Sequence, residues 1–154
     1  MRDYLKAIRE RVVVYDGGMG ATLEQFDLTS EDYGGLPGKC HEALVLYRPD
    51  VVQGVHESMV AAGAEVVETD TFQASRLKLD EWGLADRTLE INRRAAEIAR
   101  AAVGEERFVC GSVGPTGMLP ASTDPTLGQI TFAELREVFA EQCRGLLEGG
   151  VDLS

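Results

Sequence analysis

The chain has 154 residues, of which 44% are apolar, and its 15 basic and 26 acidic residues give a net charge of −11. This acidic balance opposes binding to nucleic acids and to anionic membranes. The sequence has no apolar run long enough to span a bilayer and no N-terminal pattern of a secretory signal, so we expect a cytoplasmic protein.

Short valine-rich runs alternate with helical patterns along the whole chain. Apolar runs bounded by turn residues predict β-strands, and apolar residues three and four positions apart predict helices. Because such helices return the chain for another parallel strand, the alternation predicts an α/β fold with crossover helices. A short helix over residues 2–10 precedes the predicted strands, which lie at residues 12–15, 64–69, 107–112 and 150–153.

Capping residues mark the ends of two predicted crossover helices. Pro49 suits the first turn of a helix, and Gly63 suits the position just after the end of the same helix. Thr131 and Glu134 have the spacing of a capping box, which predicts that the last helix begins there. No helix follows the last predicted strand, so we expect a sheet that is cut short at its fourth strand.

The stretch VVVYDGGMGATL at residues 12–23 places an acid and three glycines where the first predicted strand ends. It lacks the small third residue of a dinucleotide-binding fingerprint and the lysine of a phosphate-binding loop. A carboxylate at Asp16 favours a cation such as the ammonium group of an amino acid, and the N–H groups of Gly17 and Gly18 could hold that molecule's carboxylate. The alternative is that Asp16 only caps the following helix.

Two further polar stretches follow predicted strands. In ETDTFQAS, alternation along the strand directs Glu68 and Asp70 one way and Thr69 and Thr71 the other. Two carboxyls so close could act as acid and base if burial separated their pKa values, although a strand end with an ordinary helix cap is an alternative, with Phe72 as a packing residue. The second stretch, GSVGPTGMLP followed by ASTDPTLG, predicts a Gly- and Pro-rich loop of about 18 residues between strand and helix, a length typical of functional loops.

The three cysteines give no sign of a metal site. Cys40, Cys110 and Cys143 are far apart, with no C-x-x-C pair, so neither a disulfide framework nor a self-contained zinc site is supported. Cys40 precedes His41, but adjacent residues cannot easily bind one metal ion in good geometry. We therefore expect Cys40 and His41 to be ordinary core or surface residues rather than metal ligands.

Five stretches together carry a resemblance to a known family. They are DGGMG, EALVLYRPDVV, AGAEVVETDTF, GSVGPTG and DPTLGQITFAEL, in this order along nearly the whole chain. The chain resembles the homocysteine S-methyltransferases, and DPTLG favours the branch that contains the homocysteine-binding module of cobalamin-dependent methionine synthase.

The resemblance implies a fold and a reaction. It implies the first half of a (β/α)₈ barrel, with residues 1–154 forming a partial domain truncated at its fourth strand. It also implies methyl transfer to the thiolate of homocysteine, with zinc bound by cysteines outside this chain and, in the methionine synthase branch, cobalamin on a separate module. This chain alone would then be inactive, with no catalytic residue and no metal ligand of its own.

The resemblance also assigns the substrate-binding residues. Asp16 would receive the homocysteine ammonium, and Gly17 and Gly18 would contribute backbone groups. Thr69 and Ser112 lie at strand ends near the amino-acid part of the site. The expected partners are homocysteine and either the remainder of the barrel or a second copy of the chain.

Two other hypotheses stay open. A non-catalytic half-barrel could close its sheet by self-association, because open parallel edges and uncovered apolar faces favour pairing. An unrelated barrel enzyme could bind a different amino acid.

Overall fold

The computed structural model describes residues 3–120 and 128–154. Its longer helices follow the predicted alternation, and two single turns of 3₁₀ helix at His41–Ala43 and Ala85–Arg87 connect them. The α-helices are α1 Tyr4–Glu10, α2 Met19–Leu23, α3 Leu44–Tyr47, α4 Pro49–Ala61, α5 Arg76–Asp80, α6 Thr88–Val103 and α7 Phe132–Glu148.

Four extended segments lie side by side in chain order, and all neighbouring pairs are parallel. Strand β1 (Val66–Glu68) pairs with β2 (Phe108–Cys110), with Val67 opposite Val109. On the outer side of β1, residues 12–16 form a first edge segment through a parallel bridge between Tyr15 and Val66. On the outer side of β2, residues 151–154 form a second edge segment through a parallel bridge between Cys110 and Leu153. The predicted α/β fold with parallel strands and crossover helices is confirmed.

The two edge segments are less regular than predicted. Each was expected to be a full strand, yet each makes a single bridge. The physical reason is that an edge segment has a hydrogen-bonded neighbour on one side only, whereas β1 and β2 each have neighbours on both sides.

The stretch between β2 and α7 contains regular structure that the sequence did not predict. Strand β3 (Met118–Pro120) pairs in parallel with β4 (Gly128–Ile130), with Leu119 opposite Gln129. The predicted loop, residues 111–128, therefore holds strand β3 in its interior and ends on the first residue of β4. The composition concealed these strands because glycine and proline are depleted in strands, so the pairing depends on contacts distant in sequence. Residues 124–127 of the DPTLG motif lie outside the described residues.

The predicted helix ends are confirmed. Helix α4 begins at Pro49, and Gly63 lies just beyond its end with a φ of 109°. Thr131 caps α7: its hydroxyl accepts a hydrogen bond from the N–H of Glu134 at 3.2 Å, and the Glu134 carboxylate accepts one from the N–H of Thr131 at 2.9 Å. This reciprocal pair satisfies two N–H groups that the helix itself leaves unpaired.

Helices α6 and α7 pack closely because two glycines face α6, one within α7 and one at its C-cap. A Cβ at Gly145 would lie 2.8 Å from the Cβ of Asn92, and a Cβ at Gly149 would lie 2.4 Å from the carbonyl oxygen of Arg93. Leu146, between them on α7, is fully buried. The main apolar core gathers α3, α4 and α6 around large buried side chains, among them Leu23, Tyr33, Leu44, Leu79 and Ile91.

Over the described ranges, no helix combines the length and the apolar character needed to cross a membrane.

His56 on α4 is fully buried, and neither ring nitrogen has a hydrogen-bond partner among the described residues. Desolvation lowers its pKa from 6.5 to about 4, so the folded chain favours the neutral ring. Because the unfolded chain binds this proton more tightly, the stabilisation is complete above pH 6.5 and is lost as the pH falls toward 4.

We expect His56→Leu to remove this pH dependence. Between pH 7.5 and 4.5, urea unfolding should show that the wild-type chain loses roughly 2.5 kcal/mol more stability than the variant. His41→Gln is the control, because it replaces the other histidine of the chain, which is only partly buried. Equal acid sensitivity of His56→Leu and wild type would contradict this account.

Candidate functional site

A cavity of about 450 Å³ opens where the carboxyl ends of β1 and β2 meet the first edge segment. Parallel α/β folds bind ligands at this end of the sheet, because the loops converge there. Four of the five residues predicted to bind substrate line the cavity: Gly17, Gly18, Thr69 and Ser112. The fifth, Asp16, lies next to the lining residues rather than among them.

Asp16 is held against the end of β1. Its Oδ2 accepts a hydrogen bond from the backbone N–H of Glu68 at 3.0 Å, and its own N–H donates to the carbonyl of Val66. Burial raises its pKa to about 6. The alternative role as a helix cap is excluded, because the N-cap of α2 is Gly18 and no side chain caps that helix.

The glycines after Asp16 leave bare backbone at the cavity wall. Among the described residues, none accepts a hydrogen bond from the N–H groups of Gly17, Gly18 or Met19. A Cβ at Gly20 would lie 3.3 Å from Nδ1 of His41, tighter than ordinary contact. Three free donors therefore lie along one side of the cavity, an arrangement that suits an anionic group.

Thr69 and Ser112 tie the ends of β1 and β2 together. The N–H of Ser112 donates to Oγ1 of Thr69 at 3.0 Å, and the hydroxyl of Thr71 donates to the carbonyl of Ser112 at 2.7 Å. The hydroxyls of Thr69 and Thr71 lie 2.6 Å apart, which confirms that these side chains point the same way. The Thr69 hydroxyl is thus already engaged within the protein.

Buried side chains from three other elements fix the loop over residues 69–75. The Glu42 carboxylate accepts a hydrogen bond from the N–H of Gln73, the Gln142 amide donates to the carbonyl of Thr71, and the Asn92 amide donates to the carbonyl of Ala74, each at 2.8 Å. None of these three side chains was among the residues predicted from the sequence. Two of them could have been found from the sequence. Asn92 and Gln142 are amides at helix positions where the periodic pattern predicts buried apolar residues.

Phe72 departs from its predicted packing role. Its side chain lines the cavity and is 53% exposed. A Cβ at Gly114 would lie 2.4 Å from the Phe72 carbonyl oxygen and 2.9 Å from its ring, so only glycine fits beside it. The ring is therefore held at the cavity mouth by close backbone contact.

The cavity carries both signs of charge. At the rim, Nζ of Lys39 lies 2.6 Å and Nε2 of His41 lies 3.3 Å from the carboxylate of Glu24. Deeper in the wall, Asp70 and Glu42 are buried. Burial, with a smaller contribution from the Glu42 charge, raises the pKa of Asp70 well above its usual range.

The cysteines in this chain do not fit a zinc site. Cys40 is buried and its thiol faces Oε2 of Glu42 at 3.8 Å, whereas the neighbouring His41 faces Glu24. Burial raises the pKa of Cys40 to about 12 and that of Cys110 to about 11, which favours thiols over the thiolates that zinc binds. The described ranges hold no cluster of three or more His, Cys, Asp or Glu able to bind a metal ion.

The hydrogen bond from Gln142 to the carbonyl of Thr71 should contribute to the stability of the loop over residues 69–75. We expect Gln142→Glu to destabilise the chain by about 3 kcal/mol at pH 7.5, because an ionised carboxylate would face the carbonyl of Thr71 where a donor now lies. The loss should shrink toward pH 5, since the protonated acid can donate. Urea unfolding measures both values, with the exposed Gln25→Glu as control. A loss no larger than that of the control would show that Gln142 does not hold the loop.

The chain was compared with known proteins. A family model described as homocysteine S-methyltransferase matches residues 13–154. Methionine synthases of Mycobacterium tuberculosis (strain ATCC 25618 / H37Rv) and Mycobacterium leprae (strain TN) are 38% and 37% identical to it over 156 aligned residues. These alignments span 97% of this chain but only 13% and 12% of those proteins.

Solved structures agree on the fold. The oxidised and metallated forms of the homocysteine methyltransferase MmuM from Escherichia coli match with TM-scores of 0.75 and 0.73, at 22% and 21% identity. The matches cover 99% and 98% of this chain and 56% of each MmuM chain. Because the family model matches residues 13–154, the chain belongs to the homocysteine S-methyltransferase family.

Proposed function

We propose that this chain is the homocysteine-binding part of a homocysteine S-methyltransferase, which makes methionine by methyl transfer to the homocysteine thiolate. In this proposal residues 1–154 form part of a (β/α)₈ barrel. The observation that carries it is the cavity at the strand ends, whose lining combines the backbone of Gly17 and Gly18 with the carboxyl residues Glu42, Glu68 and Asp70, in a member of this family. A zwitterionic amino acid needs both kinds of partner.

The bound amino acid would lie across the cavity. Its carboxylate would accept hydrogen bonds from the N–H groups of Gly17 and Gly18, which have no acceptor among the described residues. Its ammonium would lie at Asp16, whose Oδ2 is held by the Glu68 N–H, leaving Oδ1 as the oxygen for the ligand. Thr69 and Ser112 would form the wall behind it, cross-linked to each other.

The methyl transfer itself would need groups outside this chain. We propose that zinc is bound by cysteines elsewhere in the complete enzyme and that, in the methionine synthase branch, cobalamin lies on a separate module. Zinc would keep the homocysteine sulfur as a thiolate at neutral pH, where a free thiol is mostly protonated. This chain's own share is to bind and orient the amino acid, and alone it would transfer no methyl group.

We expect Asp16→Asn to weaken binding of L-homocysteine by about tenfold to a hundredfold, because an amide cannot pair with the ammonium as a carboxylate does. Wild-type affinity should fall as the pH drops through 6, where Asp16 becomes protonated, and the variant should lack this dependence. Isothermal titration calorimetry of the 154-residue chain measures both.

Asp80→Asn is the matched control, because Asp80 is an exposed aspartate outside the cavity lining. Wild-type affinity in Asp16→Asn, with the pH dependence intact, would refute the assigned role of Asp16.

A second candidate function is self-association through the open edge of the sheet. The first edge segment exposes apolar side chains, with Val12 84% and Val14 51% exposed. Among the described residues, the N–H groups of Val13 and Tyr15 have no acceptor. A second copy could pair with this edge and complete its hydrogen bonds.

If this candidate is correct, light scattering should show a discrete dimer for the wild-type chain and a monomer for Val13→Pro, which removes an edge donor. Ile8→Ser is the control, since Ile8 is an exposed apolar residue of α1 outside the edge segment. A wild-type monomer, or a dimer that survives Val13→Pro, would count against pairing at this edge.

A further inference from the structure

Asp70 is a buried carboxyl without a counterion. It is 6% exposed and lines the cavity, yet its Oδ2 has no hydrogen-bond partner among the described residues. The two basic residues in the cavity lining, Lys39 and His41, are both engaged by Glu24 instead. Burying a charge without a partner is strongly unfavourable, so an ionised Asp70 would need a cation that the described residues do not supply.

Glu42, the other buried carboxyl of the cavity wall, has hydrogen-bond partners that Asp70 lacks. Its Oε1 accepts a hydrogen bond from the N–H of Gln73, and its Oε2 accepts one from the Cys40 thiol. Asp70 Oδ2 receives no such bond from the described residues. Burial without a hydrogen bond to the charged form favours the protonated form of Asp70.

We propose that Asp70 is a cation-binding carboxyl of this cavity that is neutral in the ligand-free chain and ionises when a ligand's ammonium group enters, releasing one proton to solvent. An ammonium has three donors, so it can pair with Asp70 and still donate to other acceptors at the cavity wall. The carboxyl torsion of aspartate is soft, so a small rotation can turn an Asp70 oxygen into the cavity. This inference rests on the proposed binding of an amino acid.

Several titratable groups surround Asp70. Tyr33, Cys40 and Glu42 interact with it electrostatically, and burial raises the pKa of the first two, which keeps both neutral. Asp16 has a pKa of about 6 and is already ionised at pH 7.5. The other titratable groups of the cavity lining are Lys39, His41 and the exposed Glu68.

Calorimetric titration with L-methionine tests the proposal, because methionine carries the same ammonium and carboxylate but no titratable thiol. At pH 7.5, heats measured in phosphate and in Tris differ, for each proton released, by the difference between the ionisation enthalpies of the two buffers. We expect about one proton per ligand for the wild-type chain and for Asp80→Asn, and close to none for Asp70→Asn.

An infrared spectrum of the ligand-free chain gives a separate readout of Asp70. At pH 7.5 it should show the stretching band of a protonated carboxyl, which Asp70→Asn removes and added methionine diminishes.

The outcomes separate this inference from the proposed function. Methionine binding with equal heats in both buffers, or no protonated carboxyl in the ligand-free chain, would overturn the role of Asp70 and leave amino-acid binding standing. Absence of binding by both methionine and homocysteine would overturn the proposed function together with the coupling.

Discussion

The site depends on how the backbone beyond β1 is held in place. A loop that leaves a buried strand carries carbonyl and N–H groups that are costly to bury unpaired. In this chain Glu42, Asn92 and Gln142 reach that loop from three other elements and satisfy three such groups. The loop can therefore remain buried while it holds Asp70 and Phe72 at the cavity.

The need to pair buried polar groups also determines which groups at the cavity are left for a ligand. The hydroxyls and carbonyls at the ends of β1 and β2 are occupied with one another, as the pairing of Thr69 with Ser112 shows. Among the described residues, the groups left for a ligand are the N–H groups of Gly17 and Gly18, the second carboxyl oxygen of Asp16 and the carboxyl of Asp70. Such a set of donors and acids suits a small molecule that carries both signs of charge.

The sequence predicted the fold better than the site. Helix α4 and the capping box of α7 were predictable because proline, glycine and Thr-x-x-Glu act locally. The pairing of β3 with β4 was not, because short strands rich in glycine and proline carry no local pattern and form through distant contacts.

The site residues show the same division between local and distant information. The cavity positions of four residues were predictable, because the direction of parallel strands determines which residues lie at their carboxyl ends. These residues are Gly17, Gly18, Thr69 and Ser112. The sequence could not show that Asp16 accepts a hydrogen bond from the N–H of Glu68. Nor could it show that Gln142 donates one to the carbonyl of Thr71, which is 71 positions away in sequence. Such contacts follow from packing, which alternation alone does not determine.

We propose that the bare backbone after the first edge segment receives the carboxylate of a sulfur amino acid. Proton–nitrogen NMR of the isotope-labelled chain, titrated with L-homocysteine, observes these N–H groups themselves. We expect saturable shifts of the Gly17 and Gly18 amide signals, with the same midpoint as calorimetric binding. Saturable binding that leaves both signals in place would show that these N–H groups do not hold the carboxylate.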